Sequence, residues 1–139
     1  MNKIFLFVAV IACTAACSAR ASDPSAAAVL EGTAWRAKLM PDDPEAAKKG
    51  HYPFTETLVF AEGKVSMTEC NKWGFSPSVF TVARSGDAIS FAAEQRAGNG
   101  GLAAWQAEFK GDTFKGTMVW TRNDGAVLKY IFEGMKVEN

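Results

Sequence analysis

The sequence predicts an all-β domain, an eight-stranded antiparallel up-and-down (meander) barrel with one short helix between its first two strands. Three observations carry this. Turn signals recur at short intervals: "AEGK" at 61–64, "RSGDA" at 84–88, "GNGG" at 98–101, "KGDT" at 110–113 and "RNDGA" at 122–126. Each holds Gly with Asp, Asn, Ser or Glu nearby, and Gly, Asn and Asp tolerate the positive φ of hairpin turns. The runs between them alternate apolar and polar residues, the period of a strand with one buried face. The apolar face is also heavily aromatic, enough to fill a small barrel or to line one.

The alternation is plainest in "TFKGTMVWT", where Phe114, Gly116, Met118 and Trp120 oppose Lys115, Thr117 and Thr121. Trp105, Ala107 and Phe109 share a face in "LAAWQAEFK", as do Leu128, Tyr130 and Phe132 in "VLKYIFEG", and Ile89, Phe91 and Ala93 in "AISFAAEQ". The eight strands fall near 32–40, 55–61, 64–70, 78–84, 87–95, 101–110, 113–121 and 126–136. Short turns in sequential order make a meander, and curling closed buries its apolar face and removes its unpaired edges. A sandwich requires longer crossovers than most of these connections provide.

Two connections are longer. In "PDDPEAAKKGHYP", residues 41–53, Asp43 can cap a short helix with Pro44 at its first position, Lys48 and Lys49 at its end and Gly50 as its stop. The acids Asp42, Asp43 and Glu45 are explained by capping and solvation. The second connection, near 71–77, lies in "SMTECNKWGFSP" and follows Cys70. A reactive cysteine needs a neighbouring cation or helix N-terminus to depress its pKa, and a zinc site needs three or four ligands. One Cys beside Trp73 and Phe75 reads first as a small buried hydrophobe, with an intermolecular disulfide or a redox-sensitive thiol as the alternatives.

The N-terminus reads as a leader. Lys3 precedes an apolar run from Ile4 to Ala12, and Ala19-Arg20-Ala21 offers an A-x-A cleavage site that makes Ser22 the mature start. The run is shorter than the roughly 20 residues a membrane span needs. Thr14-Ala15-Ala16-Cys17 offers a competing lipobox-like reading, with Cys17 as the lipidation site. The division expected is a signal peptide over 1–21, a flexible tether over 22–30 and a single barrel domain over 31–136. The location is periplasmic or secreted, or at the outer membrane as a lipoprotein.

Removing residues 1–21 takes Lys3 and Arg20 from 15 bases and nothing from 15 acids, leaving 13 against 15, a formal charge of −2. No basic stripe marks a nucleic-acid or anionic-membrane surface, so a membrane contact would come only through the N-terminal lipid. With one histidine, His51, placed in a loop, no Ser-His-Asp order can be argued from the sequence. No catalytic residue, metal ligand or cofactor is assigned, and the expectation is a monomeric, non-enzymatic protein.

The lumen is the one place with chemical content. Trp35, Phe60, Met67, Phe91, Gln95, Trp105, Met118, Trp120 and Tyr130 are the candidate lumen-lining ligand residues, Gln95 being the polar group among them. The same face also carries Leu58, Phe80, Val82, Phe109, Phe114 and Phe132. Here a family resemblance enters. "LEGTAW", with Gly32 and Trp35 opening the first strand, is similar to the Gly-x-Trp start of lipocalins, though one residue longer in spacing and with no long helix after the barrel. The run "GFSPSVFT … ISFAAEQ … AAWQAEFKGDTFKGTMVWT … YIFEG" resembles small secreted bacterial proteins with lipocalin-like barrels and no assigned activity. The resemblance spans about 31–136 and implies a barrel, a small apolar ligand in the lumen and no cofactor. The alternative is a solid barrel that binds a protein, as an inhibitor does, through its loops and outer surface. An exposed aromatic patch near Trp73 or at His51-Tyr52 would favour that alternative.

Overall fold

The computed structural model describes residues 22–138. The proposed leader, with Cys17, lies outside them. Eight antiparallel strands follow in sequence order: β1 Ala34–Pro41, β2 Phe54–Ala61, β3 Lys64–Met67, β4 Phe80–Ser85, β5 Ala88–Arg96, β6 Leu102–Lys110, β7 Thr113–Thr121 and β8 Val127–Lys136. Their order in the sheet is β3-β2-β1-β8-β7-β6-β5-β4, a meander in which the first strand also pairs with the last. Trp35 lies opposite Lys136 and Leu39 opposite Phe132 in that pairing. The barrel is nearly closed. Its seam runs between β3 and β4 and is crossed by one bridge, where Val65 and Ser78 exchange backbone hydrogen bonds of 2.8 and 3.0 Å.

Ser22 and Asp23, together with a helix, pack beside β4 at this seam. α1, Pro24–Leu30, stands where a flexible tether is expected from the polar "SDPS". The Asp23 carboxylate accepts from the backbone N–H groups of Ser25 (2.9 Å) and Ala26 (3.3 Å), and Pro24 sits at the first helical position. Together these offset the entropy of starting a helix. Ala26 and Leu30, one turn apart, are both fully buried in the core, and a seven-residue helix survives only with such packing. Just before it, Asp23 N–H donates to the Val82 carbonyl (2.9 Å) and Val82 N–H donates to Ser22 Oγ (3.1 Å), which satisfies part of the open edge of β4.

Two further departures concern the long connections. The helix expected from Asp43 is a single 3-10 turn, Ala46–Lys49, ended by Gly50 at φ 80°. Asp43 accepts instead from Glu45 N–H and from Lys49 Nζ, both at 2.9 Å, and so ties the loop rather than capping a helix. The strand expected over 64–70 stops at Met67, and the chain turns into a second short helix, α2, Thr68–Lys72.

Neighbouring strands pass unusually close at two glycines on the inward face of the barrel. A Cβ on Gly116 would lie 1.9 Å from the Gln106 carbonyl oxygen, and one on Gly134 would lie 2.0 Å from that of Arg36. Only a residue without a side chain lets the neighbouring strand pass so close.

The interior is packed ring on ring. Trp35 meets Phe109 edge-on at 4.7 Å, Phe109 stacks on Phe114 at 5.1 Å, and Phe60 touches Phe80, Phe91 and Phe109 at 5.1, 5.6 and 5.9 Å. Trp105 and Phe114 both pack on Phe132 at 5.5 Å. Edge-to-face contacts at these spacings add to area burial.

Candidate functional site

The upper end of the barrel, where β1 ends and β2 begins, is built around one acid. Glu56 falls in the same inward register of β2 as Phe54, Leu58 and Phe60, and it is fully buried. Its Oε1 accepts from Glu69 N–H (2.8 Å), Thr68 Oγ (3.0 Å) and Thr57 N–H (2.8 Å), and its Oε2 accepts from Cys70 N–H (2.9 Å). A carboxylate with this many donors needs no cation to remain buried. The two helix N–H groups it satisfies are among those α2 cannot pair internally, which is why five residues hold a helical turn there. Asn71 completes the brace: turned so that its nitrogen faces the two carbonyls, its amide donates to Phe75 (2.9 Å) and Met67 (3.1 Å).

Pinned this way, α2 delivers Cys70 inward and Trp73 outward. Cys70 is buried, and burial together with the nearby Glu56 charge pushes its thiol pKa far up. That is the opposite of an activated nucleophile. It belongs to the core.

Trp73 crosses the mouth. It stacks on Trp120 of β7 with ring centroids 6.3 Å apart and planes 19° from parallel, and it meets Phe54 at 5.5 Å. Phe54 in turn packs on Tyr130 at 5.4 Å, so an aromatic row spans the upper opening. Trp73 remains 51% exposed, and Tyr52, on the connection before β2, is 63% exposed. Beside the two indoles lies a recess of about 310 Å³, lined by Trp73 and Phe75 from the segment after α2, Asn99 and Gly101 from the β5–β6 turn, Trp120 from the end of β7, and Arg122 and Asn123 from the β7–β8 turn. The Arg122 guanidinium sits 5.8 Å from the Trp120 ring and 3.4 Å from Asp124. Asn99, which is exposed, accepts on Oδ1 from Gly101 N–H at 3.0 Å.

Of the nine residues read as lumen-lining, Trp35, Phe60, Met67, Phe91, Gln95, Trp105, Met118 and Tyr130 are buried, and Trp120 is partly buried. They do not form one pocket. Trp35, Phe60, Phe91 and Trp105 belong to the ring-on-ring interior, Tyr130 supports the upper row, and Trp120 alone reaches the mouth recess. Gln95 donates from Nε2 to the Ser76 carbonyl at 3.1 Å and so anchors the segment that leads into the seam. Gln95 Oε1, Trp105 Nε1 and Ser78 Oγ have no partner within the protein.

Glu56, Asn99, Arg122 and Asn123 are absent from the residues singled out in the sequence. Glu56 had a visible signal, an acid in the inward register of "FTETLVFA". A broad groove of about 910 Å³ also runs over the outer wall, past Lys38, Glu108, Lys115 and Glu133, with Met40 and Ile131 as its large apolar exposures. Among the described residues no group of three or more His, Cys, Asp or Glu could hold a metal ion. No helix among them is long and apolar enough to cross a membrane. Comparison with family models, with curated proteins and with solved structures finds no match to this chain.

Proposed function

We propose that this is a non-enzymatic binding module of the cell envelope or secreted space, a lipocalin-like barrel that recognises its target at the upper mouth. The carrying observation is the half-exposed Trp73, held across that mouth on Trp120 by a helix whose start is fixed by Glu56. Large aromatic side chains kept in solvent by a rigid support are what recognition sites use. The contiguous ring contacts lower in the barrel support a filled core there. A thiol pushed up in pKa and a buried acid already engaged by four donors are poorly suited to act as nucleophile or general base, which supports the non-enzymatic reading.

The carrier reading, in which a small hydrophobic molecule enters the lumen, keeps one observation in its favour. Gln95 Oε1 and Trp105 Nε1 are buried without protein partners, as polar groups facing a guest would be. Native mass spectrometry of the protein purified from its own envelope fraction separates the two. A non-covalent adduct lost in Trp73→Ala supports the mouth. An adduct that survives Trp73→Ala and disappears in Gln95→Leu overturns it in favour of the lumen.

A further inference from the structure

We propose that the mouth recess takes a neutral saccharide, one or two sugar rings with a C–H face on Trp73 and a hydroxyl edge toward Asn99, Asn123 and Arg122. The inference rests on the mouth being the recognition site and names the ligand class for it. Three observations carry it. First, the hydrophobic element is flat, two near-parallel indoles of which Trp73 is half exposed, and not a tunnel lined all round by aliphatic groups. A lipid chain lying there would set the two amides and the guanidinium against hydrocarbon with nothing to bond, a costly arrangement. Second, the rim is polar in both senses. An amide side chain offers two N–H donors and a carbonyl acceptor, and a sugar hydroxyl is likewise donor and acceptor. Asn99 uses its Oδ1 on Gly101 and keeps its N–H groups, while Asn123 on the facing turn is exposed. Third, the one charged group lining the recess, Arg122, has a counter-ion beside it. Arg122 is paired with Asp124 at 3.4 Å and lies against the Trp120 face, so its charge is already answered before a ligand arrives. A site for an anion would leave that cation open. The volume, about 310 Å³, sits at the small end of ligand sites, which run from roughly 300 to 1,000 Å³, and suits a short ligand better than a polymer segment.

The test is a ¹⁵N NMR titration of the folded protein with three neutral disaccharides, maltose, cellobiose and N,N′-diacetylchitobiose, and with N-acetyl-tryptophanamide as an aromatic non-sugar probe. The expected result is saturable shifts of the Trp73 and Trp120 indole N–H signals and of the Asn99 and Asn123 side-chain amides with at least one disaccharide. Trp73→Ala should weaken that binding about ten-fold or more with the remaining spectrum unchanged, and Trp73→Phe should restore part of it. Shifts with N-acetyl-tryptophanamide alone would overturn the saccharide and retain the mouth as a site for a peptide or aromatic ligand. Shifts confined to residues away from the mouth, or none with any of the four probes, would overturn both the saccharide and the mouth.

Discussion

The buried Glu56 carboxylate accepts the backbone N–H of Cys70 at 2.9 Å, and this one bond joins strand β2 to the helix that places Trp73 over the mouth. With its three companion bonds, Glu56 is the only side chain among the described residues that is both acidic and fully buried.

Glu56→Ala should therefore destabilise the fold by about 3 kcal/mol, because two helix N–H groups and a threonine hydroxyl lose their acceptor in a dry site. Glu56→Gln should cost less, since one carbonyl oxygen remains while its amide N–H groups face other donors. Chemical unfolding measures both, and tryptophan fluorescence should report that α2 and Trp73 loosen first. Equal stability of Glu56→Ala and the parent would show that α2 is held by packing alone.

The Cys70 thiol, pushed up by burial and by Glu56, should be inert to a thiol reagent at pH 8 in the native state and react at the rate of unfolding. The stability consequence has a definite sign. A thiol whose pKa is raised on folding favours the native state below its ordinary value of about 9.0, and that contribution is lost as pH climbs past it. Tyr130, raised in the same direction by burial, adds to the alkaline loss. Asp23 works at the other extreme: its hydrogen bonds to Ser25 and Ala26 hold its carboxyl below the usual range, so its contribution fades as pH falls below that range. Unfolding midpoints between pH 7 and pH 11 check the alkaline arm. Cys70→Ser should flatten part of it, whereas a profile unchanged by that substitution would show that Cys70 does not contribute.

Gly116→Ala should destabilise by about 1–3 kcal/mol or prevent closure, because the new methyl would collide with the Gln106 carbonyl, which is backbone and cannot step aside without bending β6. Gly134→Ala should behave alike against Arg36. Gly98 is the control: nothing lies near its would-be Cβ, and Gly98→Ala should leave the melting temperature unchanged. Thermal melts of the three variants decide whether the two close strand approaches require glycine.

Strand alternation carried most of this architecture in plain sight, since a half-buried strand must repeat every two residues and each hairpin turn needs its glycine. Cys70 as a core residue was legible for a chemical reason, the lack of neighbours to activate it. What stayed hidden depends on partners distant in sequence. "SDPSAAAVL" looks polar and mobile until Leu30 is seen to be fully buried in the core. The helical turn at Thr68 exists because an acid twelve residues earlier accepts its free donors. The mouth gathers residues from α2, the β5–β6 turn and β7, which only the closed sheet brings together. Gly116, by contrast, sat in the alternating pattern as an inward residue, but spacing does not reveal how closely the next strand passes.

Gln95 offers the sharpest check on the lumen. Its Nε2 is bonded to Ser76, while its Oε1 is buried without a protein partner. Gln95→Leu removes one modest bond and one unsatisfied acceptor together, so the two changes should nearly cancel and stability should move by less than about 1 kcal/mol. Gln95→Ala adds a cavity and should cost more than that. If Gln95→Leu instead costs about 2 kcal/mol or more in the protein refolded without envelope material, Oε1 has a partner in solution. An internal water is then the simplest one, because the refolded protein carries no envelope ligand. If the cost appears only in protein taken from the envelope, the partner is a ligand, and the carrier reading displaces the mouth.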